Sequence, residues 1–356
     1  MEPNYFSEKI ISWYHQHQRQ LPWRETKDPY LIWLSEVILQ QTRVKQGLPY
    51  YYSFVEAFPT VYDLANAREQ EVLRLWQGLG YYSRARNLHF CAKTIVHELG
   101  GKFPKSYQEL IQLKGVGAYT AAAVASFAYN ETVPVVDGNV YRVLSRVYGV
   151  KEDILSGKGQ KIFRELADTL VPKGKAAVYN QAIMEFGALQ CTPKSPACLL
   201  CPINSICYAY QHNEQSKLPV KIKKVKMKKR FFSYIIFRSQ QGFFMRERKA
   251  NDIWKGLYDF YLVESSADIG DIQNLNDPLV QQVLKSATPT VDMSALYKHQ
   301  LTHQQLWIRF FTLDIGEHKL ANSLFTNKDL SPYSQEEVLS LPKPILVDNY
   351  LSEVIF

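Results

Sequence analysis

Through roughly the first 215 residues, apolar positions recur every three or four places, as in Leu31, Leu34 and Ile38, or Leu64, Val72, Leu75 and Trp76. That period returns side chains to one face of an α-helix. Breaks fall at Phe58 and Pro59, at Gly100 and Gly101, and at Phe103 and Pro104, where helices end. Residues 1–215 therefore read as one all-α domain. After Arg230 the pattern changes to short β-rich runs at 231–237, 242–245, 258–263 and 306–314, separated by Gly, Pro, Asn and Asp. Residues 231–356 read as a second, α+β domain. Between them, 217–230 carries many lysines and no acidic residue, which makes 216–230 an exposed basic linker running into a first strand.

A chain of 356 residues exceeds one typical hydrophobic core, in keeping with two domains. The net charge is +8, and 23 tyrosines and 18 phenylalanines are interleaved with the basic residues, a pairing suited to phosphates and stacked bases. Nucleic acid is one partner this composition suits, and a merely soluble basic protein is the other reading. No apolar run reaches the length of a membrane span, and the first nine residues have neither the basic start nor the apolar core of a signal peptide. The expected setting is a bacterial cytoplasm, at the nucleoid, with no membrane partner and a monomeric chain.

Four of the five cysteines, Cys191, Cys198, Cys201 and Cys207, follow a C-x6-C-x2-C-x5-C spacing in one loop that also holds Pro193, Pro196 and Pro202. Four thiolates in one short stretch supply one ligand per iron of a [4Fe-4S] cluster. The rival is a four-cysteine zinc site, but zinc sites usually pair two C-x2-C knuckles across a longer spacer. Clustering in a large chain without a signal argues against a disulfide framework. Cys91 sits in an apolar helical run with Leu88, Phe90, Ile95 and Val96 and reads as a buried core thiol.

Leu113, Lys114, Gly115, Val116 and Gly117 separate two helical segments. Gly115 and Gly117 let backbone N–H groups point outward, and the helix that follows adds its positive end, together making a helix-hairpin-helix phosphate seat. Alone, the motif could equally be an ordinary interhelical turn. Downstream, Asp137 stands before a further helix, where it is either a functional carboxylate or an N-cap. Glu36, on an early helix, is either functional or a solvated surface residue.

Hairpin, aspartate and four-cysteine loop, in that order, resemble the endonuclease III superfamily of DNA glycosylases, and the match to adenine DNA glycosylases of the MutY family is closer. The resemblance is carried by 21–24, 33–42, 76–82, 84–87 and 137–140 and covers essentially the whole chain. It implies a monofunctional enzyme of base-excision repair that flips out adenine mispaired with 8-oxoguanine or guanine and hydrolyses its N-glycosidic bond. Glu36 would be the general acid that protonates adenine N7, Asp137 would stabilise the sugar cation, and Tyr119 and Asn139 would support them. Bifunctional relatives carry a lysine where this chain has Tyr119, and a phenol forms no imine. Trp23, Arg24 and Gln181 match positions lining the adenine pocket, and Gln41 and Tyr81 match side chains inserted into the duplex. The run from Trp254 to Phe260 is similar to the Nudix-like domain appended to these enzymes, but no Glu-rich metal-binding helix follows it. Where the family reads 8-oxoguanine with a Phe-Ser-His turn, this chain has Leu301, Thr302 and His303, keeping the hydroxyl and losing the aromatic ring. The cluster would be structural, with Lys194 of its loop facing the DNA backbone.

Overall fold

A computed structural model describes residues 3–222, 227–316 and 322–355, so 223–226 of the expected basic linker lie outside the described residues. By backbone packing the chain forms two compact units, Met1–Asn66 with Asn87–Lys223, and Ala67–Arg86 with Lys224–Phe356. The stretch 67–86 is helical in pattern yet packs with the later part of the chain. The side-chain amide of Gln77 accepts from the backbone N–H of Lys343 at 3.0 Å, and Arg86 donates to the carbonyl of Lys255 at 2.6 Å. Local periodicity carries no trace of such long-range partners.

The helices are α1 (Pro3–His17), α2 (Pro29–Leu39), α3 (Val44–Ala57), α4 (Val61–Asn66), α5 (Glu69–Leu75), α6 (Ser83–Leu99), α7 (Tyr107–Leu110), α8 (Ala118–Tyr129), α9 (Gly138–Tyr148), α10 (Gly157–Leu170), α11 (Ala176–Leu189) and α12 (Tyr208–Gln211). None among the described residues is long and apolar enough to cross a membrane. In the first unit α2 and α8 are the central pair. Helix α2 starts on Asp28, whose carboxylate accepts from the backbone of Tyr30, with Pro29 pre-set for the first turn. It is buried on nearly all sides, from Tyr30 through Ile38, which places Glu36 inside the unit. The alanine-rich α8 is buried from Thr120 to Phe127 and packs against α2, α7 and α11.

Helix α9 is strongly amphipathic and buries Val140, Val143, Leu144 and Val147. It ends at Gly149, whose φ of 70° suits only glycine there, because a Cβ would meet the Tyr208 ring. Its core partners are Phe6, Ile10 and Trp13 of α1, Phe163 of α10 and Ile183 and Phe186 of α11. Cys191, Cys201 and Cys207 pack against this same cluster, so the cysteine loop rests on the core that carries α9.

The second unit contains an eight-stranded mixed sheet of β1 (Lys228–Ser239), β2 (Gly242–Glu247), β3 (Tyr258–Asp259), β4 (Tyr261–Ser265), β5 (Thr290–Met293), β6 (Tyr297–Gln300), β7 (Gln304–Gly316) and β8 (Ser331–Tyr333). Strand β1 runs parallel to β7, with Phe232 opposite Ile308 and Tyr234 opposite Phe310, and antiparallel to β2 and β4. Odd residues of β1, Ile235 and Phe237, pack with Leu279, Val280 and Val283 of α13 (Pro278–Ala287). Even ones, Phe232, Tyr234 and Ile236, pack with Val347 and Tyr350 of the C-terminal helices. Both faces are covered, which is why 231–237 reads as a continuous apolar run rather than an alternating one.

Candidate active site

Glu36, Asp137, Tyr119, Asn139, Trp23, Arg24 and Gln181 come together in the first unit around one cavity of about 180 Å³. Five stretches of chain contribute, 19–24, 36–44, 119–127, 137–139 and 181–188. Tyr119, in the first turn of α8, donates its hydroxyl to Glu36 Oε2 at 2.6 Å. Glu36 is 7 % exposed, and burial pushes its carboxyl up to about 7, helped by the nearby charge of Asp137 and opposed by the Tyr119 bond and by Arg24. It is not the solvated helix-face residue of the alternative reading.

Asp137 is indeed an N-cap. Its Oδ1 accepts from the backbone of Asn139 and of Val140, each at 2.8 Å, and its Oδ2 from the Asn139 side chain at 2.7 Å. Capping α9 and lining the cavity use the same carboxylate. Burial raises its carboxyl above the ordinary aspartate range, while these bonds and the Arg142 charge pull against that rise. Arg142 donates to Asn139 Oδ1 at 2.9 Å, to the carbonyl of Gly187 at 2.6 Å and to that of Cys191 at 2.8 Å. One guanidinium thus joins the cap, α11 and the start of the cysteine loop.

Among the lining residues that escaped the sequence reading are Glu185, Arg19 and Met184. Glu185, nearly fully buried, holds Arg19 and Arg24 in paired hydrogen bonds of 2.5 to 3.1 Å. Burial alone would raise its carboxyl, but the two guanidiniums outweigh that and hold it at about 2. The available signal was its place four residues after Gln181 on α11, hence on the same helix face. Arg19 gave none, and Met184 reads as core.

The other expected residues lie outside the cavity wall. Gln41 follows α2 with a left-handed φ of 57° and an exposed side chain, and its neighbour Thr42 does line the cavity. Gly115 has a φ of 89° in the hairpin, where a Cβ would collide with Asn87, and Gly117 caps α8. In the second unit Leu301, Thr302 and His303 form the turn between β6 and β7, with Thr302 and His303 exposed. Tyr81, with a left-handed φ of 50°, has its phenol in hydrogen-bond contact with the Thr302 hydroxyl.

Cys191, Cys198, Cys201 and Cys207 line a second small cavity with Arg146, Phe186 and Tyr210. Arg146 donates to Cys191 Sγ at 3.4 Å and to the carbonyls of Thr192 and Pro193. Burial pushes the Cys201 thiol up to about 12. Four cysteines lining one cavity, with an N–H···S donor beside them, fit an iron–sulfur cluster.

Residues 34–172 match the model of HhH-GPD superfamily base excision DNA repair proteins, and 191–207 that of the iron-sulfur binding domain of endonuclease III. The chain is 38 % identical to an adenine DNA glycosylase of Buchnera aphidicola subsp. Schizaphis graminum, over 72 % of this chain and 74 % of the relative. A second, from Buchnera aphidicola subsp. Baizongia pistaciae, is 32 % identical over 96 % of this chain and 94 % of its own length. The chain belongs to the adenine DNA glycosylases. Among solved structures, a thermostable thymine-DNA glycosylase aligns over 59 % of this chain and 97 % of its own, at 30 % identity and a TM-score of 0.54. The four-cysteine loop of this family holds an iron–sulfur cluster, which settles the zinc alternative in favour of iron.

Because Glu36 binds its proton at about 7 in the fold and near 4.5 in the unfolded chain, the wild type loses stability as pH rises between those values. Glu36→Gln removes the ionisation. The variant should melt higher than wild type at about pH 8 and lose that advantage at about pH 4, which a thermal melt at the two pH values checks.

Proposed function

We propose that the protein is a monofunctional glycosylase of base-excision repair, acting on duplex DNA to remove adenine mispaired with 8-oxoguanine or guanine. The observation that carries the reading is a buried carboxyl, pushed up to about 7, beside a second carboxylate held by donors on both oxygens, in one cavity. Departure of a purine needs a proton on the leaving base and negative charge beside the sugar cation. Glu36 supplies the first and Asp137 the second, with water completing hydrolysis. Tyr119 steadies Glu36 through its hydroxyl and Asn139 steadies Asp137.

Trp23, Arg24 and Gln181 receive the extruded base. Gln41 and Tyr81 fill the stack it leaves, and Gly115 and Gly117 seat a phosphate at the start of α8. In the second unit, read as the Nudix-like lesion-recognition domain at 231–356, Thr302 addresses the N7–H or O8 that separates 8-oxoguanine from guanine, with Leu301 and His303 flanking it. The iron–sulfur cluster, when bound by its four cysteines, supplies a rigid scaffold for the loop that carries Lys194 toward DNA. The enzyme works as a monomer on the nucleoid of a bacterial cytoplasm.

An adenine:8-oxoguanine duplex incubated with the protein should break at the adenine site only after alkali. Breakage without alkali would mean a lyase, and none at all a binding protein. The single-turnover rate should fall as pH rises through about 7, since Glu36 then loses the proton it delivers.

Thr302→Ala should lower the preference for 8-oxoguanine over guanine opposite adenine by about five- to tenfold, the worth of one hydrogen bond. Release from adenine:guanine duplexes should stay within about twofold, and parallel single-turnover assays compare the two.

A further inference from the structure

The Glu185 carboxylate on α11 takes no part in the chemistry proposed above, yet it lines the same cavity as Glu36 and its side chain is 1 % exposed. Five N–H donors converge on it. Arg19 reaches it through its backbone N–H, Nε and Nη2 at 3.0, 2.8 and 2.5 Å, and Arg24 through Nη1 and Nη2 at 3.1 and 2.8 Å. Arg24 Nη1 also donates to the Arg19 carbonyl at 3.0 Å, and the guanidinium lies over the ring of Tyr14, a phenol that burial keeps neutral.

Arg24 faces Glu36 as well, where its positive charge opposes the upward push of burial. The other groups facing Glu36 are the Tyr119 hydroxyl of α8 and the Asp137 carboxyl at the start of α9. Glu36 takes a single hydrogen bond from Tyr119, so an ionised Glu36 would have room for a guanidinium fork, the strongest partner a carboxylate can find. Two carboxyls of one cavity thus compete for one cation. Glu185 holds it with both oxygens, and the fork turned toward Glu185 is withheld from Glu36. Were Arg24 released to pair with Glu36, the charged form would gain a partner and the acid would give up its proton at lower pH.

We propose that Glu185 is a positioning residue that binds the Arg24 guanidinium away from Glu36 and so keeps the Glu36 carboxyl able to carry a proton to the purine. This rests on the acid role proposed above for Glu36. Glu185→Gln keeps the side-chain shape and removes the charge. Single-turnover release of adenine opposite 8-oxoguanine is followed between about pH 5.5 and about pH 8.5 in wild type, Glu185→Gln, Arg24→Gln and the double variant.

In Glu185→Gln the falling limb of the profile should move down by about one pH unit, read as release about tenfold slower at about pH 8.5 with less than about threefold change at about pH 5.5. In the Arg24→Gln background the same substitution should change release by less than about threefold at either pH, since the cation it acts through is gone. The double variant removes one charge of each sign, so its comparison with Arg24→Gln still decides the matter where Glu185→Gln alone does not fold. An equal loss at both pH values, an unmoved falling limb, or a tenfold alkaline loss that persists without Arg24 would each overturn the proposal while leaving the activity intact. A wild type whose release does not slow as pH rises overturns the acid role of Glu36 and this inference with it, and one that releases no adenine overturns the activity itself.

Discussion

Burial of the Glu36 carboxyl within α2 is the constraint on which the site depends. An ionised carboxylate there would lose its hydration and recover only the hydrogen bond from Tyr119 and a distant pull from Arg24, so the neutral form prevails up to about pH 7. Asp137 is half-buried, and donors reach both of its oxygens. Burial pushes both carboxyls up, but the N–H groups aimed at Asp137 oppose the rise there more fully than the Tyr119 hydroxyl and Arg24 do at Glu36. The nearby negative charge of Asp137 reinforces the difference by raising Glu36 further.

Holding Asp137 in that state engages much of the first unit. Its donors belong to the first turn of α9, and the Asn139 amide is aimed by Arg142, which is tied in turn to Gly187 and Cys191. One helical turn later Arg146 reaches Cys191 Sγ and the next two carbonyls of the loop. The face of α9 that ends at the cavity therefore begins at the cysteine loop. Removing Arg142 would leave the buried Gly187 carbonyl without this donor, and removing Arg146 the buried Leu218 carbonyl, a cost beyond the bond itself.

Much of this was legible in the chain. The helical period, the change to β-rich runs after Arg230 and the cysteine spacing each rest on local rules that tertiary packing did not override. Glu36 and Asp137 were singled out through family resemblance, since position along the chain does not reveal that α2 is buried on nearly every side. Glu185 was missed because a glutamate on an apolar helix looks like a surface residue until its two arginines, more than 160 positions earlier, are brought to it. The grouping of 67–86 with the sheet was hidden for the same reason. Strands β5, β6 and β8 are short and largely exposed, so their alternation is too weak to separate from loop.

Backbone strain marks two exposed turns, one in each unit. Gln41 and Tyr81 both adopt the left-handed region, which costs a non-glycine residue about 1–2 kcal/mol. Each is fixed by its surroundings: Thr42 donates to the carbonyl of Leu39 beside Gln41, and Trp76 and Arg84 both donate to Gly80 beside Tyr81. The hydrogen bonds that hold these turns would survive a glycine at either site, so the strain is not needed to close them. What the larger residues add is an exposed side chain projecting from a rigid turn, the form a group needs if it is to enter a base stack without first losing conformational freedom.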